Sequence, residues 1–284
     1  DRQEWEVFEN RSENGVAKFV HYYDIFKNTP VGVGDLHGAW LHGLEFADIN
    51  GDGKLDVLFG GARATTIMGP QWDTFDPNAD FTHKMSVYLG NGDFTFTFSE
   101  NSWLGDSDVY TSIGEIHSAD LDGDGDTDFI VTDGGEDFGD YAGGLNSILW
   151  NSNGKLFKDT GTKDTFGYIG FTHQHDMADV DNDGDMDVVF WDMGGADINC
   201  QYGFSHQVRV LKNDGAGNFT NAQNPCLDPY DIGGGIWGTY FGVSIRLADM
   251  NGDGFVDIIS GESSEYGNDR VVFNNGNGTF NFGT

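Results

Sequence analysis

Cationic residues are scarce in this 284-residue chain: 14 Lys and Arg stand against 47 Asp and Glu, a formal charge of -33. A surface of that sign repels a phosphate backbone, which excludes non-specific nucleic-acid binding. Apolar runs are short as well, and none approaches the roughly 18 residues of a membrane span, so no membrane insertion is expected. The chain starts at Asp1 without a charged-then-apolar leader, as expected of a mature chain from which a signal peptide has been removed. No amphipathic helical period stands out, and H-E-x-x-H, G-x-S-x-G and Walker motifs are lacking. Cysteine occurs only at Cys200 and Cys226.

Glycine and aromatics are plentiful instead: 43 Gly with 23 Phe, 10 Tyr and 7 Trp pair many tight turns with bulky packing residues, which disfavours a helical bundle. A hydrophobic share of 38% can bury a core, so the acidity is not a sign of disorder.

Four segments align without gaps: Asp48 to Asp56 (DINGDGKLD), Asp120 to Asp128 (DLDGDGDTD), Asp179 to Asp187 (DVDNDGDMD) and Asp249 to Asp257 (DMNGDGFVD). Each follows an Ala and precedes a β-rich run (VLFGG, FIVTD, VVFWD, IISGE). Farther on, each repeat has a strand, a Gly/Asn turn and an aromatic strand: SVYLGNGDFTFTF, SILWNSNGKLFKD, RVLKNDGAGNFTN and RVVFNNGNGTFNF. Each repeat therefore reads as a four-stranded antiparallel unit, too small to bury both faces alone, which is the pattern of β-propeller blades.

In each acidic segment positions 1, 3, 5 and 9 are Asp or Asn, and position 6 is Gly. Alternate carboxylates around a sharp turn converge their oxygens, and the carbonyl at position 7 can join them, which suits calcium. The expected ligands are Asp48, Asn50, Asp52, Lys54 (carbonyl) and Asp56; Asp120, Asp122, Asp124, Asp126 (carbonyl) and Asp128; Asp179, Asp181, Asp183, Asp185 (carbonyl) and Asp187; Asp249, Asn251, Asp253, Phe255 (carbonyl) and Asp257. An EF-hand needs Glu at position 12, where this chain has Phe59, Val131, Phe190 and Ser260. About four structural calcium ions are expected, doing no chemistry themselves. The plain alternative is a set of metal-free Asx turns.

The stretch GVSIRLADMNGDGFVDIISG (Gly242 to Gly261) resembles the FG-GAP repeat of integrin α-subunit propellers, and all four segments resemble the related VCBS repeats of extracellular proteins. The resemblance covers roughly residues 38–284, as repeats 38–99, 110–160, 169–222 and 238–284. It implies an all-β propeller of four-stranded blades; such propellers commonly carry about seven. Residues 1–37, with WEVFENRSENGVAKFVHYYD, resemble a lone closing hairpin, either a seam element of a compact propeller or a partial blade of a larger one.

Aligning the inner strands on their Ala-Asp pairs puts Glu45, His117, Asp176 and Arg246 at one equivalent position, with His42, Gly114, His173 and Val243 three residues upstream. This row reads either as a salt-bridged lining or as a transition-metal or acid/base site. In the second reading His173 and His175 project to one side of a strand and share a cation. Ligand recognition is expected near His117, His173, His175, Asp176 and Arg246, under loops carrying Trp72, Trp103, Trp237, Tyr141 and Tyr168, whose rings suit sugar stacking. Cys200 and Cys226 flank the third closing hairpin, whose antiparallel geometry brings them together; a disulfide is expected, which points to an extracellular, cell-surface or periplasmic location.

Three functions compete: a calcium-stabilised module binding a glycan or extracellular protein without catalysis, an enzyme, and a structural subunit of an extracellular assembly. For the enzyme, a resemblance of such propellers to polysaccharide lyase scaffolds implies His117, His175, Tyr110 and Arg246 as the group that abstracts a proton and neutralises a uronate.

Overall fold

The β-branched and aromatic runs that follow the acidic segments form the buried second strands of four sheets. In a computed structural model the described residues are 7–28, 39–63, 85–100, 110, 112–135, 143–162, 165–192, 207–223, 244–261 and 270–281. Everything ordered into elements there is strand. Near the N-terminus lie β1 (Val7–Asn10), β2 (Phe19–Tyr22) and β3 (Phe26–Lys27). The first sheet continues with β4 (Ala39–Ala47), β5 (Asp56–Arg63), β6 (Ser86–Gly90) and β7 (Phe96–Phe98). The second repeat supplies β8 (Ile113–Ala119), β9 (Asp128–Asp133), β10 (Gly144–Leu145), β11 (Ser147–Ser152) and β12 (Lys155–Asp159). The third has β13 (Ile169–Gly170), β14 (Thr172–Ala178), β15 (Asp187–Asp192), β16 (Gln207–Lys212) and β17 (Thr220–Gln223). The fourth has β18 (Ser244–Ala248), β19 (Asp257–Gly261), β20 (Arg270–Asn274) and β21 (Phe280–Asn281).

Three sheets are four-stranded meanders, β8-β9-β11-β12, β14-β15-β16-β17 and β18-β19-β20-β21. The first gains a fifth strand, because β3 joins β7 in parallel, Phe26 opposite Phe96. The N-terminal hairpin β1-β2 forms as expected, and Tyr22, Ile25 and Phe26 pack on Val57, Phe59 and Tyr88, covering one face of the first sheet.

Period-two alternation sends the second strands of the first three sheets each into two different cores. On β9, Phe129 and Val131 join Leu58, Val87 and Ile113 between the first and second sheets, while Ile130 joins Val188, Phe190 and Leu211 between the second and third. On β15, Val189 and Trp191 turn the other way, toward Ile245, Ile258 and Val272 of the fourth sheet. Apart from the cluster that the N-terminal segment closes on the first sheet, the cores among the described residues lie between neighbouring sheets, so the array is held largely by its interfaces. Truncating a fully buried ring such as Phe129 or Phe190 to Ala would cost about 3–5 kcal/mol.

The inner strands do not alternate regularly. Register shifts fall between Leu41 and Gly43, between Ile113 and Ile116, and between Thr172 and Gln174. Each places one extra residue on the inner strand, a β-bulge at the same height in three successive sheets.

Candidate metal loops and inner-strand cluster

The four acidic segments fold alike. The carboxylate at position 1 accepts backbone N–H groups from the far side of the turn: Asp48 from Asp52 (3.0 Å) and Gly53 (2.8 Å), Asp120 from Gly123 (2.8 Å) and Gly125 (3.1 Å), Asp179 from Asp183 and Gly184 (both 3.0 Å), Asp249 from Gly252 (2.7 Å) and Gly254 (2.9 Å). Position 7, where the carbonyls of Lys54, Asp126, Asp185 and Phe255 are expected as ligands, donates its N–H to the carboxylate at position 5, that is to Asp52, Asp124, Asp183 and Asp253. Positions 4 and 6 are left-handed, with φ from 61° at Asn182 to 100° at Gly184, which explains Gly or Asn there.

Position 9 does something the spacing does not reveal. Asp56, Asp128, Asp187 and Asp257 are fully buried, and each ties two segments together. One oxygen accepts the N–H of position 2 (Ile49, Leu121, Val180 or Met250, 2.9–3.0 Å). The other accepts an N–H from the end of the third strand (Gly90, Asn151, Asn213 or Asn274, 2.7–2.9 Å).

Those third-strand residues carry a further link. The Asn151 side-chain amide donates to the Ile49 carbonyl in the loop of the preceding repeat (2.8 Å), Asn213 to Leu121 (2.8 Å) and Asn274 to Val180 (2.7 Å). One buried Asn per interface thus stitches each of the first three acidic loops to the next sheet. The first sheet has Gly90 instead, where a Cβ would come within 2.1 Å of the Leu55 carbonyl oxygen. Sequence comparison of the four hairpins holds the signal, since N-S-N-G, N-D-G and N-N-G share this Asn, but its partners lie 92 to 102 residues away.

The loops suit a hard cation. Oxygens of Asp120, Asp122 and Asp128 lie within 4.8 Å of one another, as do those of Asp179, Asp181 and Asp187. Burial pushes the Asp128 and Asp187 carboxyls up to about 6 against their backbone hydrogen bonds, and the charges of Asp122 and Asp124, or of Asp181 and Asp183, add to the rise. A cation among these oxygens would relieve that repulsion. Asp181 Oδ1 is buried without a hydrogen-bond partner, a lone pair aimed at no protein donor. All-oxygen donor sets of this kind fit calcium. The first and fourth loops carry less charge, with Asn50 and Asn251 at position 3; in the first, Lys54 Nζ sits 3.0 Å from Asp52 Oδ2.

On the inner strands, carboxylate and amide side chains of one sheet satisfy the exposed edge of the next. Glu45 accepts from the Ser118 hydroxyl (2.6 Å), Glu115 Oε2 from His175 N (3.1 Å), Gln174 Oε1 from Ile245 N (3.0 Å) and Asp176 Oδ2 from Leu247 N (2.8 Å). Arg246 Nη2 donates to Glu115 Oε1 at 2.9 Å, and His117 Nε2 lies 3.5 Å from the same oxygen. The rings of His117 and His175 are 4.7 Å apart. Burial, with the nearby charges of His117 and Arg246, holds the His175 imidazole well below its usual range and hence neutral at neutral pH.

His117, His175, Asp176 and Arg246 therefore come together as expected from the alignment, joined by Glu115. His173 does not join them. It is the extra residue of the β14 bulge, which breaks the alternation that would put it beside His175, and its ring packs 4.7 Å from Phe171. Tyr110 also stands apart: it is buried, its hydroxyl lies 2.6 Å from Ser147 Oγ, and Lys158 covers its ring. Tyr168 presents no face to solvent, because Asn146 binds its hydroxyl (2.9 Å) and Arg209 lies 3.7 Å over the ring. Trp72, Trp103, Trp237, Tyr141, Cys200 and Cys226 lie outside the described residues. Two buried carboxylates unassigned in the sequence reading, Asp133 and Asp192, fix the starts of the second and third inner strands through Ser112 N and Phe171 N.

Comparison with curated proteins finds no match. The chain does match the FG-GAP-like repeat, over residues 78–131, 120–190 and 194–260. These spans take in the second, third and fourth acidic loops and well over half of the chain. The chain accordingly belongs to the FG-GAP-like repeat family, whose repeats build β-propeller-type domains.

Proposed function

We propose that this chain is an extracellular recognition module, stabilised by calcium in its acidic loops, that binds a glycan or protein partner without turning it over. The observation that carries this reading is the use made of the loop carboxylates. Those at position 9 are buried joints between loop and third strand and, for Asp128, Asp187 and Asp257, through the adjoining Asn to the loop of the preceding repeat. A cation held there consolidates interfaces and has no substrate path assigned to it. The lyase alternative is weakened by Tyr110, whose hydroxyl is engaged by Ser147 away from the His117–His175 pair.

The acidic loops join the ends of the inner strands to the starts of the second strands. Chain segments 64–84, 136–142, 193–206 and 262–269 leave from the opposite ends of the second strands, and segments 101–109 and 224–243, which carry Trp103 and Trp237, lead into the starts of the second and fourth inner strands at that same end. Ligand recognition at that opposite end, through Trp72, Trp103 and Trp237, follows from loops varying freely on a fixed scaffold. The test is a glycan array read with and without calcium, followed by Trp103→Ala and Trp237→Ala. Loss of about 1–3 kcal/mol of affinity at an unchanged melting temperature supports stacking on a ligand. Release of unsaturated sugar products from a polysaccharide panel would overturn the non-catalytic reading.

A further inference from the structure

The inner strands of the second and third sheets assemble a donor set that the acidic loops do not share. One carboxylate oxygen of Glu115 and one ring nitrogen each of His117 and His175 lie within 4.8 Å of one another. His175 is completely buried, and neither of its ring nitrogens has a hydrogen-bond partner; His117 Nδ1 is buried in the same condition. Buried polar atoms are ordinarily paired, and leaving two orphaned on one ring is unfavourable. The nearest anionic group to His117 Nδ1 is Asp176 Oδ1 at 3.8 Å, beyond hydrogen-bonding reach.

We propose that Glu115, His117 and His175 form a binding site for a divalent first-row transition cation of the zinc class, bridging the second and third sheets. Two imidazole nitrogens with one carboxylate oxygen are the donors such ions prefer, whereas calcium takes oxygen. The surroundings hold the carboxylate in place: Arg246 of the fourth sheet binds Glu115 Oε1, and the backbone N–H of His175 binds Oε2. Three protein ligands leave a further coordination position for water or a donor atom of a bound partner. The site is independent of the calcium loops in residues and in donor chemistry.

The full chain, kept in excess calcium so that the acidic loops are filled, is titrated with zinc chloride by calorimetry and with cobalt(II) by visible absorption. One saturable equivalent of zinc is expected, and cobalt should develop ligand-field bands of a nitrogen-containing site. His117→Ala and Glu115→Gln should each weaken zinc at least about 10-fold, while His173→Ala leaves it unchanged. Circular dichroism confirms that the variants are folded. The proposal is overturned if calcium-loaded protein takes up no saturable zinc, if binding survives His117→Ala in full, or if His173→Ala abolishes it. Because calcium is present throughout, a negative result here leaves the calcium reading standing, and the melting test of that reading is separate.

Discussion

Replacing Asn151 by Ala is the sharpest probe of the joints between sheets. The side chain is 4% exposed and makes three hydrogen bonds: its amide donates to Ile49 O (2.8 Å) and Thr127 O (3.1 Å), and its oxygen accepts from Gly154 N (2.9 Å). At about 1 kcal/mol net for each, with the added cost of groups left unpaired in the interior, the loss should be about 3–4 kcal/mol. Asn213 is the control. It donates to Leu121 O alone, and its Oδ1 already lacks a partner, so Asn213→Ala should cost only about 1–1.5 kcal/mol. Urea unfolding in saturating calcium measures both, the comparison being valid where the slopes agree. Equal losses for the two variants, or a loss under about 0.5 kcal/mol for Asn151→Ala, would refute the reasoning.

Gly90→Ala should destabilise the first sheet despite its small size, because its Cβ would meet Leu55 O at 2.1 Å; a melting temperature equal to that of the parent would show that the backbone yields there freely. Cys200 and Cys226, outside the described residues, are expected to be bonded, so denatured but unreduced protein should show no titratable thiol, and two thiols would refute the pairing.

The repeats, their strand order and the acidic loops were legible because each rests on residues close in sequence: a carboxylate at every second position, Gly or Asn where φ is positive, apolar runs after each loop. The inner-strand row was half legible. Alignment on the Ala-Asp pairs correctly gathers His117, Asp176 and Arg246, since between them and the Ala the register is unbroken, but strand alternation pairs His175 with His173, which sits at the bulge itself. One inserted residue reverses a strand's facing, and nothing in His-Gln-His marks it. Glu115 was passed over for the same reason: its alternation is counted across the shift between Ile113 and Ile116. Tyr168 misled because an aromatic before an inner strand reads alike whether it stacks on a ligand or, as here, under Arg209.

Thermal unfolding across a series of free calcium concentrations, from chelated to millimolar, bears most directly on the claim that the acidic loops are calcium-filled structural joints. Each site at 10 to 100 times its Kd contributes roughly 1.4–2.7 kcal/mol, so four sites match much of a domain's net stability. The melting temperature should rise steadily with calcium, the five-carboxylate second and third loops responding at lower concentration than the first and fourth. Identical melting curves in chelator and in millimolar calcium, with metal analysis finding no bound ion, would contradict the account.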